Sequence, residues 1–394
     1  MEVDATPEQA MHYARSGDLS TEVASLARPL VERGKTPGIV VGVLLPDGSM
    51  HFFGYGVTDP KSAIRPGGDT LFATGSLSKG FLGVVTALQV HQGALSWNDT
   101  LGQLLPPSVP LSSDAKKITL IQLATHTSGL PNQPMNFQTC DYFIQYLFTG
   151  KNFYRHLSRD YVFHYLAHFK APQRPDVHYS NLGYALMGYV LEQRTGVSVD
   201  DLVEREIARP LGLKNTGYRP ETLPGFSTRA HGFAGDEPKF VSRGKPVPDW
   251  QFTDFMKGTG GIYSSARDLL TFAAAALHPE DTPLGAAFAD TLRVRAPRTQ
   301  EAPAVAWFVD DLDGQRITYQ IGVVGGFTSY LGLDVERQTA VVVLQNSFNW
   351  TNTVGHKLLV RLSRAQTGSP SSPTFVRAKP SPTENESPPA VRSE

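Results

Sequence analysis

Ser76 and Lys79 stand three residues apart at the start of a helical pattern, "GSLSKGFLGVVTALQVHQG". Residues at i and i+3 share a helix face, so a hydroxyl and an amine are neighbours there. A serine hydroxyl is a poor nucleophile until a base takes its proton. Phe81, Leu82, Val84, Val85, Leu88 and Val90 recur behind the pair, which predicts a helix packed on most sides. Burial disfavours the ammonium form of a lysine, and the neutral amine is a base. The helix N-terminus adds positive potential that suits a developing oxyanion. Taken alone, the same spacing also fits a capping serine and a lysine that reaches solvent.

A second polar group lies in "HYSNLGYALMGYVLEQRTG", where Tyr179 and Asn181 precede another helix. Tyr179 is placed to relay protons between Ser76, Lys79 and a leaving group, and Asn181 to bond Lys79 or a substrate carbonyl. Their structural alternatives are a half-buried aromatic and a helix cap.

The elements that must bring these residues together follow from periodicity. Residues 19–34 suit an amphipathic helix, with Val23, Leu26, Leu30 and Val31 on one face. Two strand-like runs flank Pro46, Asp47 and Gly48, a hairpin signal. Helical patterns dominate from Ser76 to about Arg209. Strand signals return in "AVAWFVDD", "QRITYQIG", "SYLGLDV" and "TAVVVLQNS", and a last helix is predicted over 352–364. The fold class expected is α/β of the α+β type: early and late strands paired in one antiparallel sheet flanked by helices, plus an all-helical domain and a cleft between them. The corresponding division is a discontinuous sheet domain, 1–72 and 256–366, and a mainly helical domain, 73–255, with an aromatic-rich insertion at 131–175. From 367 to 394 the composition turns to Pro, Ser, Thr and Glu, which predicts a disordered tail.

Composition narrows the function. Lys and Arg number 36 against 37 Asp and Glu, for a net charge of −1 over 394 residues, so nucleic-acid or anionic-membrane partners have little electrostatic support. The single cysteine, Cys140, excludes an internal disulfide framework and is expected to be a small buried side chain. No apolar run is long enough to span a bilayer and the N-terminus lacks a signal-peptide core, so a cytoplasmic location is expected. The eleven histidines show no metal-ligand spacing, and neither a metal nor another cofactor is expected. His126 in "HTSGL" reads as a hydrogen-bonded turn residue. Gly-x-Ser-x-Gly is absent, which weighs against an α/β-hydrolase.

Several stretches, in order, resemble the serine β-lactamase and penicillin-binding-protein superfamily, and within it class C β-lactamases and family VIII carboxylesterases. They are "DTLFATGSLSKGF", "LIQLATHTSGLP", "YSNLGYALMGYVLEQRTG" with "IARPLGLKNTGY", "GTGGIYSSARDLLTFAAA" and "VGGFTSYLGLDVERQTAVVVLQNS". The resemblance implies a β-lactamase/transpeptidase-like fold, with Ser76 as acylated nucleophile, Lys79 as its base partner and Tyr179 aiding acylation and deacylation. Asn181 falls on the third position of the Tyr-x-Asn motif.

The chain departs from the family at the third motif, usually Lys or His, any residue, then Gly. Here the alignment places Gln320, Ile321 and Gly322. Glutamine carries no charge to grip a carboxylate, so a penicillin-type or D-alanyl peptide substrate is disfavoured. Gly322 permits close backbone approach, and the amides of Ser76 and Val323 are the implied oxyanion hole. The aromatic stretch is a second departure. Tyr142 and Tyr154, with Trp250 and Phe255 from a later loop, are candidates to line an apolar substrate pocket, though such aromatics also serve as ordinary core.

These residues point to a serine acyl-enzyme hydrolase, esterase- or thioesterase-like, acting on an ester, amide or thioester of a hydrophobic acyl group, free or linked to a carrier or CoA. Transfer to a second substrate would use the same acyl-enzyme, making the protein an acyltransferase. A β-lactamase or D-peptidase and a non-catalytic binder are the remaining readings. By analogy with relatives, a secondary-metabolite pathway is a plausible setting.

Overall fold

The computed structural model describes residues 18–134, 136–173, 176–312, 314–350 and 353–367. In chain order the strands are β1 (Gly38–Leu44), β2 (Met50–Gly56), β3 (Phe72–Ala73), β4 (Tyr263–Ser264), β5 (Ala302–Pro303), β6 (Phe308–Leu312), β7 (Gln315–Val324), β8 (Phe327–Asp334) and β9 (Thr339–Gln345). Helices of eight residues or more are α1 (Asp18–Glu32), α2 (Ser78–His91), α3 (Phe137–Thr149), α4 (Arg159–His168), α5 (Asn181–Thr195), α6 (Ala266–Leu277), α7 (Gly285–Leu292) and α8 (Thr353–Thr367).

Seven strands form one antiparallel sheet in the order β2-β1-β9-β8-β7-β6-β5, so the two ends of the chain meet where β1 pairs β9. The β1–β2 hairpin runs from Gly38↔Gly56 to Leu44↔Met50 and turns at Gly48, whose φ of +81° needs no Cβ. In β9, "TAVVVLQ", every position is buried, because helices cover both sides of the sheet. Side chains alternate across a strand. Val341 and Val343 therefore join one core with Val23 of α1 and Leu358 of α8. Val342 and Leu344 join the other, with Phe81 of α2 and Leu269 of α6. That two-sided burial explains a continuous apolar run where an exposed sheet would show alternation. The antiparallel sheet with flanking helices is the fold class read from the sequence.

Local differences have physical causes. The run "AVAWFVDD" becomes strand only from Phe308, as β6, because Ala306 adopts φ +68° and breaks the extended run expected from 304. Cys140 is exposed, contrary to its expected burial, since α3 buries only Thr139 and Tyr146 against the rest of the fold. Thr367 ends α8, and the remainder of the expected tail, 368–394, lies outside the described residues. The aromatic stretch builds a satellite core in which Tyr146, Phe153, Tyr154, Leu157 and Met256 are buried, with Trp250 and Phe252 packed against them. Among the described residues, no helix is long and apolar enough to cross a membrane.

Candidate active site

Between β3 and α2 the chain makes a single tight turn, Gly75–Leu77. β3 pairs β4, and the Thr74 hydroxyl donates to the carbonyl of Ile262 at 2.8 Å, which anchors the turn from one side. On the other side, Ser78 Oγ donates to the Gly75 carbonyl at 2.7 Å and accepts from the Ile262 N–H at 3.0 Å. Ser76 sits in this turn, partly exposed, while its neighbours Gly75 and Leu77 are buried. The serine is the accessible residue of a fixed loop.

Lys79 lies one turn further on, in the first turn of α2, and is only 2% exposed. Its Nζ donates to Ser76 Oγ at 2.9 Å and to the Thr259 carbonyl at 2.6 Å. The rings of Tyr179 and Tyr184 stand 5.1 and 5.7 Å from Nζ. Among the described residues no carboxylate pairs with the amine, and burial holds its pKa well below the usual lysine value. A neutral amine has a lone pair, so the bond to Ser76 can reverse, with the serine hydroxyl donating to nitrogen.

Tyr179 completes the group. Burial pushes its pKa up to about 12, against which a hydrogen bond with Ser76 acts in the opposite direction. The phenol is therefore a proton-bearing group at neutral pH. Its segment is held by His126. The His126 carbonyl accepts from the His178 N–H at 2.7 Å, and Nδ1 accepts from the Ser180 N–H at 3.1 Å. The ring lies 4.4 Å from that of Tyr179, and burial lowers its pKa to about 3. A neutral histidine with an accepting Nδ1 carries its proton on Nε2.

β7 closes the other side. A Cβ on Gly322 would stand 3.1 Å from the Ser76 nitrogen, and one on Gly75 would stand 2.9 Å from the Val323 nitrogen. Ser329 Oγ, across from Gly322 on β8, donates to the Thr74 carbonyl at 2.7 Å. The Gly75–Ser76 backbone thus lies against the Gly322–Val323 backbone of β7. Two residues before Gly322, the Gln320 side chain meets Gly80, the residue after Lys79. Gln320 is 3% exposed, and both of its amide atoms lack a hydrogen-bond partner among the described residues.

The structure therefore gathers Ser76, Lys79, Tyr179, Gln320, Gly322 and Val323. Asn181 is joined to Tyr154, its Nδ2 donating to the phenol oxygen at 2.9 Å. Trp250 packs on Gly325 in the β7–β8 turn and donates from Nε1 to the Gly150 carbonyl at 2.9 Å. The other two pocket candidates are engaged elsewhere. Tyr142 stacks on His156 at 4.7 Å and beneath the Arg155 guanidinium at 4.2 Å, and Phe255 packs on Tyr189 and Phe163. The carbonyl of Thr259 is a partner the sequence does not announce, because a backbone acceptor has no residue-type signature.

A family model described as Beta-lactamase matches residues 23–365. Unguisins hydrolase ungD' of Aspergillus campestris (strain IBT 28561) is 28% identical over 88% of this chain, which spans 65% of that protein, less than two thirds of its length. The D-alanyl-D-alanine-carboxypeptidase/endopeptidase AmpH of Escherichia coli (strain K12) is 26% identical, over 76% of this chain and 77% of its own. A solved class C beta-lactamase from Rhodobacter sphaeroides superimposes with a TM-score of 0.71 at 26% identity, covering 88% of this chain and 98% of that one. With the match of the family model running over nearly the whole described chain, from α1 to α8, this protein belongs to the beta-lactamase family.

Proposed function

We propose that the protein is a serine acyl-enzyme hydrolase acting on an ester, amide or thioester of a hydrophobic acyl group. One observation carries this reading: the Lys79 amine, buried without a carboxylate partner among the described residues, lies 2.9 Å from the Ser76 hydroxyl. As Oγ bonds to the substrate's carbonyl carbon, its proton passes to the neutral Lys79 amine. The N–H groups of Ser76 and Val323 receive the negative charge that develops on the carbonyl oxygen. When the tetrahedral adduct collapses, Tyr179 protonates the departing alcohol, amine or thiol, and the Lys79 ammonium returns a proton to the phenol through the site. Water then attacks the acyl-enzyme by the same steps in reverse, with Ser76 as the leaving group.

Gln320 supports an uncharged substrate at the third motif, because its amide supplies no positive charge for a carboxylate. The relatives described above carry the names of hydrolytic enzymes, which favours water as the second nucleophile over an acyl acceptor. The likeness to an unguisins hydrolase supports a secondary-metabolite substrate. The test is turnover of a p-nitrophenyl acyl ester by wild type and Ser76→Ala. We expect the substitution to lower kcat by about 1,000-fold or more; equal rates for the two proteins would eliminate the reading.

A further inference from the structure

Gly260 follows Thr259, whose carbonyl accepts from Lys79, and the space a side chain at 260 would fill is taken by Phe252. A Cβ on Gly260 would stand 3.1 Å from Phe252 Cζ and 3.7 Å from the carbonyl carbon of Gly75. Gly75 is bonded directly to the nucleophile. The tip of the Phe252 ring therefore lies beside two peptides, the one that holds Lys79 and the one that leads into Ser76. Phe252 and Ser76 are both only partly buried, so the ring keeps some of its surface open next to the serine.

The loop that carries Phe252 is fixed from the aromatic stretch. Trp250 Nε1 donates to the Gly150 carbonyl at 2.9 Å, Asn152 Nδ2 to the Gln251 carbonyl at 2.6 Å, and Thr253 Oγ1 to the Leu157 carbonyl at 2.9 Å. Bonds at 250, 251 and 253 leave the ring between them little freedom to swing away. Trp250 and Tyr154 flank it, with ring centroids 6.3 and 6.4 Å from that of Phe252. The Trp250 indole lies where a Cβ on Gly325 would be, two residues past Val323. The half-buried rings of Phe252 and Trp250 thus extend from the turn of the serine to the end of β7. Aromatic rings attract one another edge to face or offset, a gain that a saturated group of equal size does not share. We propose that Phe252 is a specificity-determining residue, which with Trp250 makes an aromatic wall beside Ser76 that selects acyl groups carrying an aryl ring. This inference deepens the reading of Ser76 as the nucleophile and rests on it.

The test compares the p-nitrophenyl esters of 3-phenylpropanoic and 3-cyclohexylpropanoic acid, which share a carbon skeleton. Each kcat/KM is divided by the rate of alkaline hydrolysis of the same ester. A plain apolar pocket favours the saturated ring, which buries more apolar surface. Wild type is expected to favour the aryl ester by about fivefold, the worth of one aromatic pair. Phe252→Leu keeps an apolar side chain without the ring and is expected to reduce the ratio to about one or below, whereas Phe252→Tyr should retain it. A merely structural role for Phe252 lowers both rates together and leaves the ratio unchanged. Ser76-dependent hydrolysis without an aryl preference in wild type, a full preference in Phe252→Leu, or its loss in a folded Phe252→Tyr overturns the inference while leaving the nucleophile intact. Turnover that survives Ser76→Ala, or turnover of neither ester, refutes the hydrolase reading instead. If Phe252→Leu does not fold, Phe252→Met must remove the preference in its place, and its persistence there also overturns the inference.

Discussion

Gly322 lies so near Thr74 that a Cβ on it would stand 2.1 Å from the Thr74 carbonyl oxygen. Thr74 begins the turn that carries Ser76, so the distance between β7 and the serine is set by a missing side chain. Gly322→Ala must push the turn and strand apart, and a displacement of about 1 Å at a reacting centre costs on the order of 100-fold in rate. We predict that loss in kcat/KM for a p-nitrophenyl ester, in a protein whose far-ultraviolet circular dichroism matches wild type. Activity within threefold of wild type would show that the strand does not position the serine.

The pH dependence of ester hydrolysis follows from Lys79 and Tyr179. Burial lowers the lysine pKa, so the active neutral amine is lost only as pH falls through that lowered value. Tyr179, held at about 12, keeps its proton throughout the neutral and mildly alkaline range. A kcat/KM profile should rise along a single acid limb and stay level to about pH 10. A fall beginning near pH 8 would contradict the protonated phenol.

His126 makes stability depend on pH in a stated direction. Its folded pKa of about 3 lies below the ordinary 6.5, so the unfolded chain binds more protons between those values. Its contribution is complete above pH 6.5 and is lost progressively as pH falls toward 3. The difference between 6.5 and pH 5 corresponds to about 2 kcal/mol. Denaturant unfolding at pH 7 and pH 5 should therefore show a loss that shrinks by about that amount in His126→Gln. An unchanged loss in the variant would assign the dependence to other groups.

How much of this was legible in the sequence depended on whether a feature is local. The Ser76–Lys79 contact follows from helical spacing, and the burial of Lys79 from the apolar residues behind it. The hairpin follows from Asp47-Gly48 between two apolar runs. The pairing of early with late strands and the approach of Tyr179 to Ser76 were legible, but other long-range side-chain contacts were not. Gln320 faces Gly80, and Tyr154 reaches Asn181 across 27 positions of sequence, only because tertiary packing brings their segments together. Cys140 looked like core because cysteine is commonly buried, but α3 presents so narrow a buried face that position 140 is left outside. The strand expected from Ala304 starts four residues late, at Phe308, for a backbone reason, the positive φ of Ala306, which no periodicity reveals in an alanine.

The central claim is that the Ser76 oxygen becomes covalently acylated because Lys79 removes its proton. Intact-mass measurement after rapid quenching with a p-nitrophenyl acyl ester, followed by peptide mapping, tests it most directly. The account predicts one acyl group per wild-type chain, located on Ser76, with no adduct on Ser76→Ala and labelling slowed by about 1,000-fold on Lys79→Ala. An adduct at another residue, or equal labelling of wild type and Lys79→Ala, would contradict it.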